Sequence, residues 1–535
     1  MNTTMNSMIK IQDIAHAIFS VEEELDLFNK TIKGVYFWNL IRFPVYRKLS
    51  RQTGLYDQAH SSHDVNSRTA KIKHVLQGAK NLFSKNPYFN RKCDLLFFGH
   101  PRRKKMQDGL WWDLYCDPIL KKISHRYNCI LLEKPRYPNH CTPPKTPRIS
   151  YLDLPALLGT VYFKLRKMDM SLSPTEERLL CKIEDCIARE LGVAEKDLNL
   201  RKLNLRQVAL GAIATRAKML PIYTHLLAKL EPKLVIMVVS YTNQIFVEAC
   251  KSLNIPVAEL QHGFISKYHL GYYYPRAKPL NNALPDYFFA FGDYWIPFVD
   301  SIFHRENIFS VGYPFFEMET EKHLPEDIRG NIRRDIRRDT QGDTQGDRGG
   351  RSNKKQDQVV FISQGTTGRE MSRFAVSLAA RGDFPLQVIY KLHPGEYSRW
   401  KKAYPWLIDS GVEVIQDDST SLYKLLAEAK ALVGLSSTVI YEGLGLKQIL
   451  GLDQRVFLLD LPGIENMNGL IETGAACKIS TVDELVKKLM NPSPRVFKSD
   501  TKEDFKEQNI NTNCFFQPHS LQNISQGIDE IIMKP

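Results

Sequence analysis

At 535 residues the chain exceeds what one hydrophobic core usually serves, so two large domains are expected. An excess of 73 Lys and Arg over 59 Asp and Glu gives a net charge of +14, which favours anionic partners such as nucleotide-activated donors or lipid headgroups. Nucleic acid is excluded as the leading choice, because the basic residues are spread along the chain without a zinc-finger spacing or an aromatic ribonucleoprotein motif.

The nine cysteines, Cys93 to Cys514, form no C-x-x-C pair and read as reduced core residues. The longest apolar stretch, Leu234 to Val239, is too short to cross a bilayer, and the N-terminus lacks a basic region followed by an apolar run. A cytoplasmic location is therefore expected.

Residues 1–90 read as a helical segment. Lys33 to Leu49 interleaves aromatic and basic side chains. That suits a helix lying on the inner face of the cytoplasmic membrane, but the pattern is more common in a core-packing helix, here broken at Pro44. Residues 91–320 read as a first α/β domain. Cys93 to Phe98 is a buried-strand pattern that ends at Gly99-His100 and runs into the basic residues Arg102 to Lys105, then Asp108-Gly109 and Trp111-Trp112-Asp113. A basic run of this kind is usually a solvated face. A carboxylate beside aromatics after such a strand is a general-base candidate, which singles out Asp108 and Asp113.

Further strands are expected at Cys129 to Leu132, Lys233 to Ser240, Val257 to Leu260, Tyr287 to Ala290 and Ile308 to Val311, with a helical insertion at about 151–230. Val257 to Leu260 ends at Gln261-His262-Gly263, where the glycine permits close approach of a ligand to His262. Residues 321–358 carry the tandem units IRRD-IRRD-TQGD-TQGD and read as a disordered linker.

Residues 359–535 read as a second α/β domain. Val359 to Ser363 leads into Gln364-Gly365-Thr366-Thr367-Gly368, a loop suited to a phosphate or sugar. An apolar run that includes Lys391 ends at His393-Pro394, and another, Ala431 to Val433, breaks at Gly434-Leu435-Ser436-Ser437 and passes at Thr438 into a helical pattern containing Glu442 and Gly445. In open α/β sheets the ligand lies beyond the carboxyl ends of the strands, and a helix N-terminus favours a phosphate. Polar loops at successive strand ends therefore suggest a nucleotide grip, with Glu442 as a carboxylate for ribose hydroxyls. The tail, Ser520 to Met533, reads as a helix able to cross back to the first domain.

These marks resemble a group of bacterial glycosyltransferases of capsule and lipopolysaccharide synthesis: sialyltransferases, Kdo transferases and teichoic-acid glycerophosphotransferases. The resemblance spans roughly Asp94 to Met490. It implies the GT-B fold, an α/β arrangement of two Rossmann-like domains facing across a cleft. In that group a His-Pro and a Ser/Thr-Ser pair contact the phosphate of a CMP- or CDP-linked donor, which is carried here by His393-Pro394 and Ser436-Ser437. The sialyltransferases carry an acidic-acidic-Gly triplet whose carboxylate is the base; Gln107-Asp108-Gly109 is similar, with Gln in place of the first acid. The glycerophosphotransferases use a His-Gly, which His262-Gly263 resembles. Asp108 is thus the first choice for the base and His262 its rival.

Sugar transfer needs a base for the acceptor hydroxyl and donors for the departing phosphate. No Asp-x-Asp motif is present to hold a metal, so charge stabilisation falls to Lys391, His393, Ser436/Ser437 and the loop at Gly365 and Thr366. The expected substrates are a nucleotide sugar, itself no cofactor, and a polysaccharide or lipid-linked acceptor. Two alternatives remain open: a UDP-sugar 2-epimerase-like enzyme and a non-catalytic scaffold of a polysaccharide assembly complex.

Overall fold

The computed structural model describes residues 9–53, 81, 85–136, 139–166, 169–192, 203–276, 284–322, 357–417, 420–490 and 515–534. Among these the chain forms two compact units: the first runs to Phe315 and includes 516–534, and the second runs from Phe316 to Phe515. Each is built on one parallel sheet, so the α/β class and the two Rossmann-like sheets read from sequence are both present. Almost all of the tandem-repeat stretch lies outside the described residues.

The first unit contains β1 (Leu95–Phe98), β2 (Arg103–Lys105), β3 (Trp111–Asp113), β4 (Cys129–Glu133), β5 (Ile149–Tyr151), β6 (Leu234–Val238), β7 (Val257–Leu260), β8 (Tyr287–Ala290) and β9 (Ile308–Ser310). Seven of these form a parallel sheet in the order β5-β4-β1-β6-β7-β8-β9. β1 and β6 are unbroken apolar runs, LLFF and LVIMV, buried at every position, as a sheet covered on both faces requires. Strand order reverses between β1 and β6. Helices Asp153–Arg166, Pro174–Glu190 and Leu205–Leu230 fill the expected insertion, and Leu226, Leu227 and Leu230 of the last pack with Phe98, Val235 and Phe246 in one core.

Helices Ile11–Glu24 and Phe37–Gln52 belong to this unit. The expected break at Pro44 does not occur: Phe37, Trp38, Ile41, Val45 and Leu49 are buried along one face, and that packing outweighs the hydrogen bond that proline removes. Arg42, 1% exposed, donates to Glu22 and to the carbonyls of Leu270 and Tyr273, and stacks 3.9 Å over the Tyr274 ring. Removing either charge of this buried pair would cost about 3–5 kcal/mol. The pair anchors the segment that follows His262.

The sequence boundary at 359–535 needs correction. Helix Ser520–Met533 packs on the first sheet: Gly527 lies so close to Phe289 that an added Cβ would sit 3.1 Å from its ring, and Arg126 pairs with Asp529 at 2.8 Å. The separate N-terminal segment likewise merges into the first unit.

The second unit contains β10 (Gln358–Ile362), β11 (Gln387–Lys391), β12 (Glu413–Ile415), β13 (Ala429–Gly434), β14 (Arg455–Leu459) and β15 (Cys477–Ile479), parallel in the order β12-β11-β10-β13-β14-β15. Its order reverses between β10 and β13. No helix among the described residues is long and apolar enough to cross a membrane.

Candidate functional site

In the second unit the loop after β10 leaves the sheet where strand order reverses, which is where open α/β sheets hold ligands. Tyr390 and Glu396 shape this loop. The Tyr390 hydroxyl bonds Ser363 Oγ at 3.0 Å and donates to the Gly368 carbonyl at 3.1 Å, and Glu396 accepts from Tyr404 at 2.6 Å. A Cβ at Gly368 would sit 2.6 Å from Glu396 Oε1, so only glycine fits. Glu396 also accepts the His393 N–H at 2.8 Å, which links the His-Pro turn to the same support. His393 is exposed, and its Nδ1 accepts from the Gly395 N–H at 3.1 Å. That bond places the ring proton on Nε2, a donor suited to an anion.

Gln364 Nε2 donates to the Ser436 carbonyl and ties this loop to the one after β13. Ser437 caps helix Thr438–Leu450 by accepting from Val439 N–H at 3.3 Å. The first turn therefore presents its N–H groups and positive dipole end beside Gly365 and Thr366. Three buried polar atoms around this loop have no hydrogen-bond partner among the described residues: Gln364 Oε1, Thr367 Oγ1 and Arg399 Nε. Thr367 is only 5% exposed, and the Arg399 guanidinium stands 3.5 Å from where a Gly365 Cβ would be. Buried polar groups are normally paired, so this cluster is built for a polar occupant.

Two sequence candidates serve other ends. Lys391 Nζ donates to Tyr397 Oη at 2.7 Å and to the Asp417 carbonyl at 2.6 Å. Glu442 is buried and accepts from Tyr423 at 2.8 Å. Gly365, Thr366, His393, Pro394, Ser436 and Ser437 lie on the carboxyl-end loops, and Thr438 opens the helix that follows.

In the first unit the strand ends at the order reversal converge on His262. Gln261, 1% exposed, fixes the turn by accepting from Phe291 N–H at 2.7 Å and donating to the Gly263 carbonyl at 2.8 Å. Tyr115 donates to the His262 carbonyl at 2.7 Å. The Tyr272 hydroxyl donates to Glu259 Oε1 at 2.7 Å and lies 3.2 Å from His262 Nδ1, so it accepts the Nδ1 proton. Nε2 is then left as a lone pair, 3.4 Å from the Tyr241 hydroxyl. Burial, reinforced by neighbouring His100 and His269, holds the imidazole well below its ordinary pKa and therefore neutral. Burial raises the pKa of Glu259 in the same chain of contacts.

His100, after β1, has its ring 5.8 Å from that of His262. Its Nδ1 accepts from Arg102 N–H at 3.1 Å, which leaves Nε2 protonated, and burial lowers its pKa to about 4. Two neutral imidazoles thus meet as opposite tautomers, one a donor and the other an acceptor. A base and a hydrogen-bond donor are both in place.

Asp113 and Asp108 lie apart from this pair in role. Asp113 is fully buried, accepts from the backbone N–H groups of His100, Tyr115 and Cys116, and faces Arg103 at 3.6 Å. It positions the His100 turn. The Arg103 side chain is 2% exposed and also pairs with Glu133 at 2.7 Å, so it is an exception to the reading of the basic run as a solvated face, which Arg102 and Lys105 follow. Asp108 sits between β2 and β3, accepts from Leu110 N–H and Trp112 Nε1, and pairs with Lys145 at 3.0 Å. The Lys145 hydrogen bond lowers its pKa.

Sequence reading passed over His100, Tyr241, the Glu259–Tyr272 relay and Arg399. Glu259 did leave a signal, a carboxylate inside the apolar strand VAEL. Arg399 left none, because its loop shows no pattern. Among the described residues no group of three or more His, Cys, Asp or Glu is arranged to hold a metal.

No protein-family model and no curated protein matches the chain. Solved structures similar to it include UDP-GlcNAc 2-epimerase from Methanocaldococcus jannaschii, 13% identical over 82% of this chain and 99% of that one, with a TM-score of 0.42. UDP-GlcNAc 2-epimerase from Neisseria meningitidis bound to UDP-GlcNAc is 11% identical over 82% and 99%, with a TM-score of 0.42. The glycotransferase of kitacinnamycin is 12% identical over 83% and 96%, with a TM-score of 0.39. At such values function has to be read from this chain's own residues.

Proposed function

We propose that the chain is a glycosyltransferase of the GT-B kind, which moves a sugar from a nucleotide-activated donor to a hydroxyl of a surface glycan or glycolipid. The observation that carries this reading is the unpartnered set at the β10 loop, Gln364 Oε1, Thr367 Oγ1 and Arg399 Nε, beside a capped helix N-terminus. A nucleotide phosphate satisfies Thr367 Oγ1, Arg399 Nε, the helix dipole and His393 together, while Gln364 Oε1 is placed to accept from a hydroxyl of the nucleotide sugar. The second half of the reaction belongs to His262. An acceptor hydroxyl gives its proton to Nε2 as its oxygen bonds the sugar carbon, and the bond from that carbon to the donor phosphate breaks, with the electrons leaving on the phosphate. The Nδ1–H, Tyr272 and Glu259 chain stabilises the imidazolium that forms.

Calorimetry with CMP, CDP, UDP and GDP tests the donor site. Arg399→Ala should weaken the nucleotide that binds by about 1.5–3 kcal/mol, the range for a hydrogen bond to a charged group. Equal affinity in the two proteins would remove the site. The opposite tautomers of His100 and His262 also suit an epimerase, which needs a base and an acid. Such an enzyme converts UDP-GlcNAc with no acceptor present, and a transferase does not.

A further inference from the structure

A cavity of about 690 Å³ opens in the first unit between helices Phe37–Gln52 and Leu205–Leu230, floored by the segment after β6. That size suits a small organic ligand. Its walls are divided by chemistry. Helix Phe37–Gln52 contributes Phe43, Arg47 and Arg51, four residues apart and so on one face, beginning apolar and ending cationic. Helix Leu205–Leu230 opposes it with Val208, Gly211, Ala212 and Met219, a smooth apolar wall. Among the described residues Lys48 and Lys134 complete four cations around the cavity, and no carboxylate lines it. A sugar chain would need more polar partners than Thr215, Thr242, Asn243 and Gln244 supply, and a bilayer would need a convex apolar face.

The cavity shares one wall residue with the candidate base. Tyr241 lines it, packs 4.5 Å from Phe43, and holds its hydroxyl 3.4 Å from His262 Nε2. Gly271 permits this, since a Cβ there would meet Tyr241 Cδ1 at 2.5 Å.

We propose that this cavity holds the lipid part of the acceptor: an isoprenoid or alkyl chain bearing a phosphate ester, with the chain against Val208, Ala212 and Met219 and the phosphate on Arg47 and Arg51. Its role as acceptor rests on the glycosyl-transfer reading, but its binding does not. The test uses the full chain and farnesyl monophosphate, titrated calorimetrically below its aggregation threshold. One equivalent should bind, farnesol more weakly and inorganic phosphate not measurably. Gly211→Phe should weaken binding by at least about tenfold by filling the space, and it is a mild change because no atom lies within 4 Å of a Cβ there. Arg47→Ala with Arg51→Ala should also cost about tenfold or more, the size of a charge-assisted hydrogen bond. Both variants should keep the wild-type melting temperature and nucleotide affinity.

Unchanged farnesyl phosphate binding in Gly211→Phe would overturn the proposal. So would competition by inorganic phosphate at equal concentration, which would mark an anion patch only. Binding to phosphatidylglycerol vesicles without binding of the monomer would overturn it too, in favour of a membrane surface. Failure of every nucleotide to bind would sink the transferase reading alone and leave the cavity result standing.

Discussion

The carboxyl ends of the two sheets differ in how their polar groups are satisfied. At the β10 loop, Gln364, Thr367 and Arg399 keep buried polar atoms without partners among the described residues. At the β7 turn Glu259 Oε1, Tyr272 and His262 Nδ1 are joined by hydrogen bonds, Glu259 Oε2 has no partner among the described residues, and His262 Nε2 lies 3.4 Å from the Tyr241 hydroxyl. A binding site for a charged ligand carries its desolvation cost in the empty state and recovers it on binding. A catalytic base has to be fixed in tautomer and direction before the substrate arrives. On the proposed reading, the second unit binds and the first reacts.

The largest effect that separates the two is expected at His262. His262→Gln should lower kcat by about 10²–10⁴ at saturating substrates and leave nucleotide affinity unchanged. Because its folded-state pKa lies well below 6.5, the native ring stays neutral where an ordinary histidine has gained a proton. The wild-type kcat/KM should therefore stay level through pH 6.5, where an ordinary histidine base would have lost half of it. Stability follows the same sign. The unfolded chain takes up the proton first, so stability contributed by neutral His100 and His262 is complete above about pH 6.5 and is lost as pH falls toward 4. An acid limb at pH 6.5 in the rate would remove His262 as the base.

A paired experiment on hydroxyls sharpens the contrast. Tyr272→Phe strands His262 Nδ1 and leaves Glu259 Oε1 with only the Ser240 N–H, and should destabilise the fold by about 1–3 kcal/mol, read as a fall of several degrees in Tm. Thr367→Val deletes a hydroxyl that has no partner. It should leave Tm level or raise it slightly, yet weaken nucleotide binding about threefold to tenfold. If Thr367→Val lowered Tm as much as Tyr272→Phe does, the β10 loop would not be an empty binding site.

Both sheets were legible because central parallel strands are short apolar runs, unbroken in β1 and β6 and interrupted only by Lys430 in β13. The loops at their ends followed from that placement. The short hairpin of β2 and β3 was not legible, because Arg103 draws its three acidic partners from β3, β4 and the helix between them, and a basic run carries no local sign of such burial. The relay was hidden for the same reason: Tyr272 reaches Glu259 across a loop folded back under the Arg42 anchor. Long-range pairing leaves no periodicity to read.

The smallest effect is expected at Asp108, the carboxylate that sequence resemblance places first. A general base works best with a lone pair directed at the substrate. Asp108 has none to spare. Its oxygens already accept from Leu110 N–H, Trp112 Nε1 and Lys145 Nζ. Asn at this position keeps an acceptor for Leu110 and Trp112 and loses only an ion pair whose partners are 28% and 36% exposed, a kind that solvent largely screens. Asp108→Asn should thus leave kcat within about twofold and melting unchanged. A hundredfold loss of kcat with nucleotide binding intact would give the proton transfer to Asp108 after all, and would reduce the Glu259–Tyr272–His262 chain to a structural brace of the β7 turn.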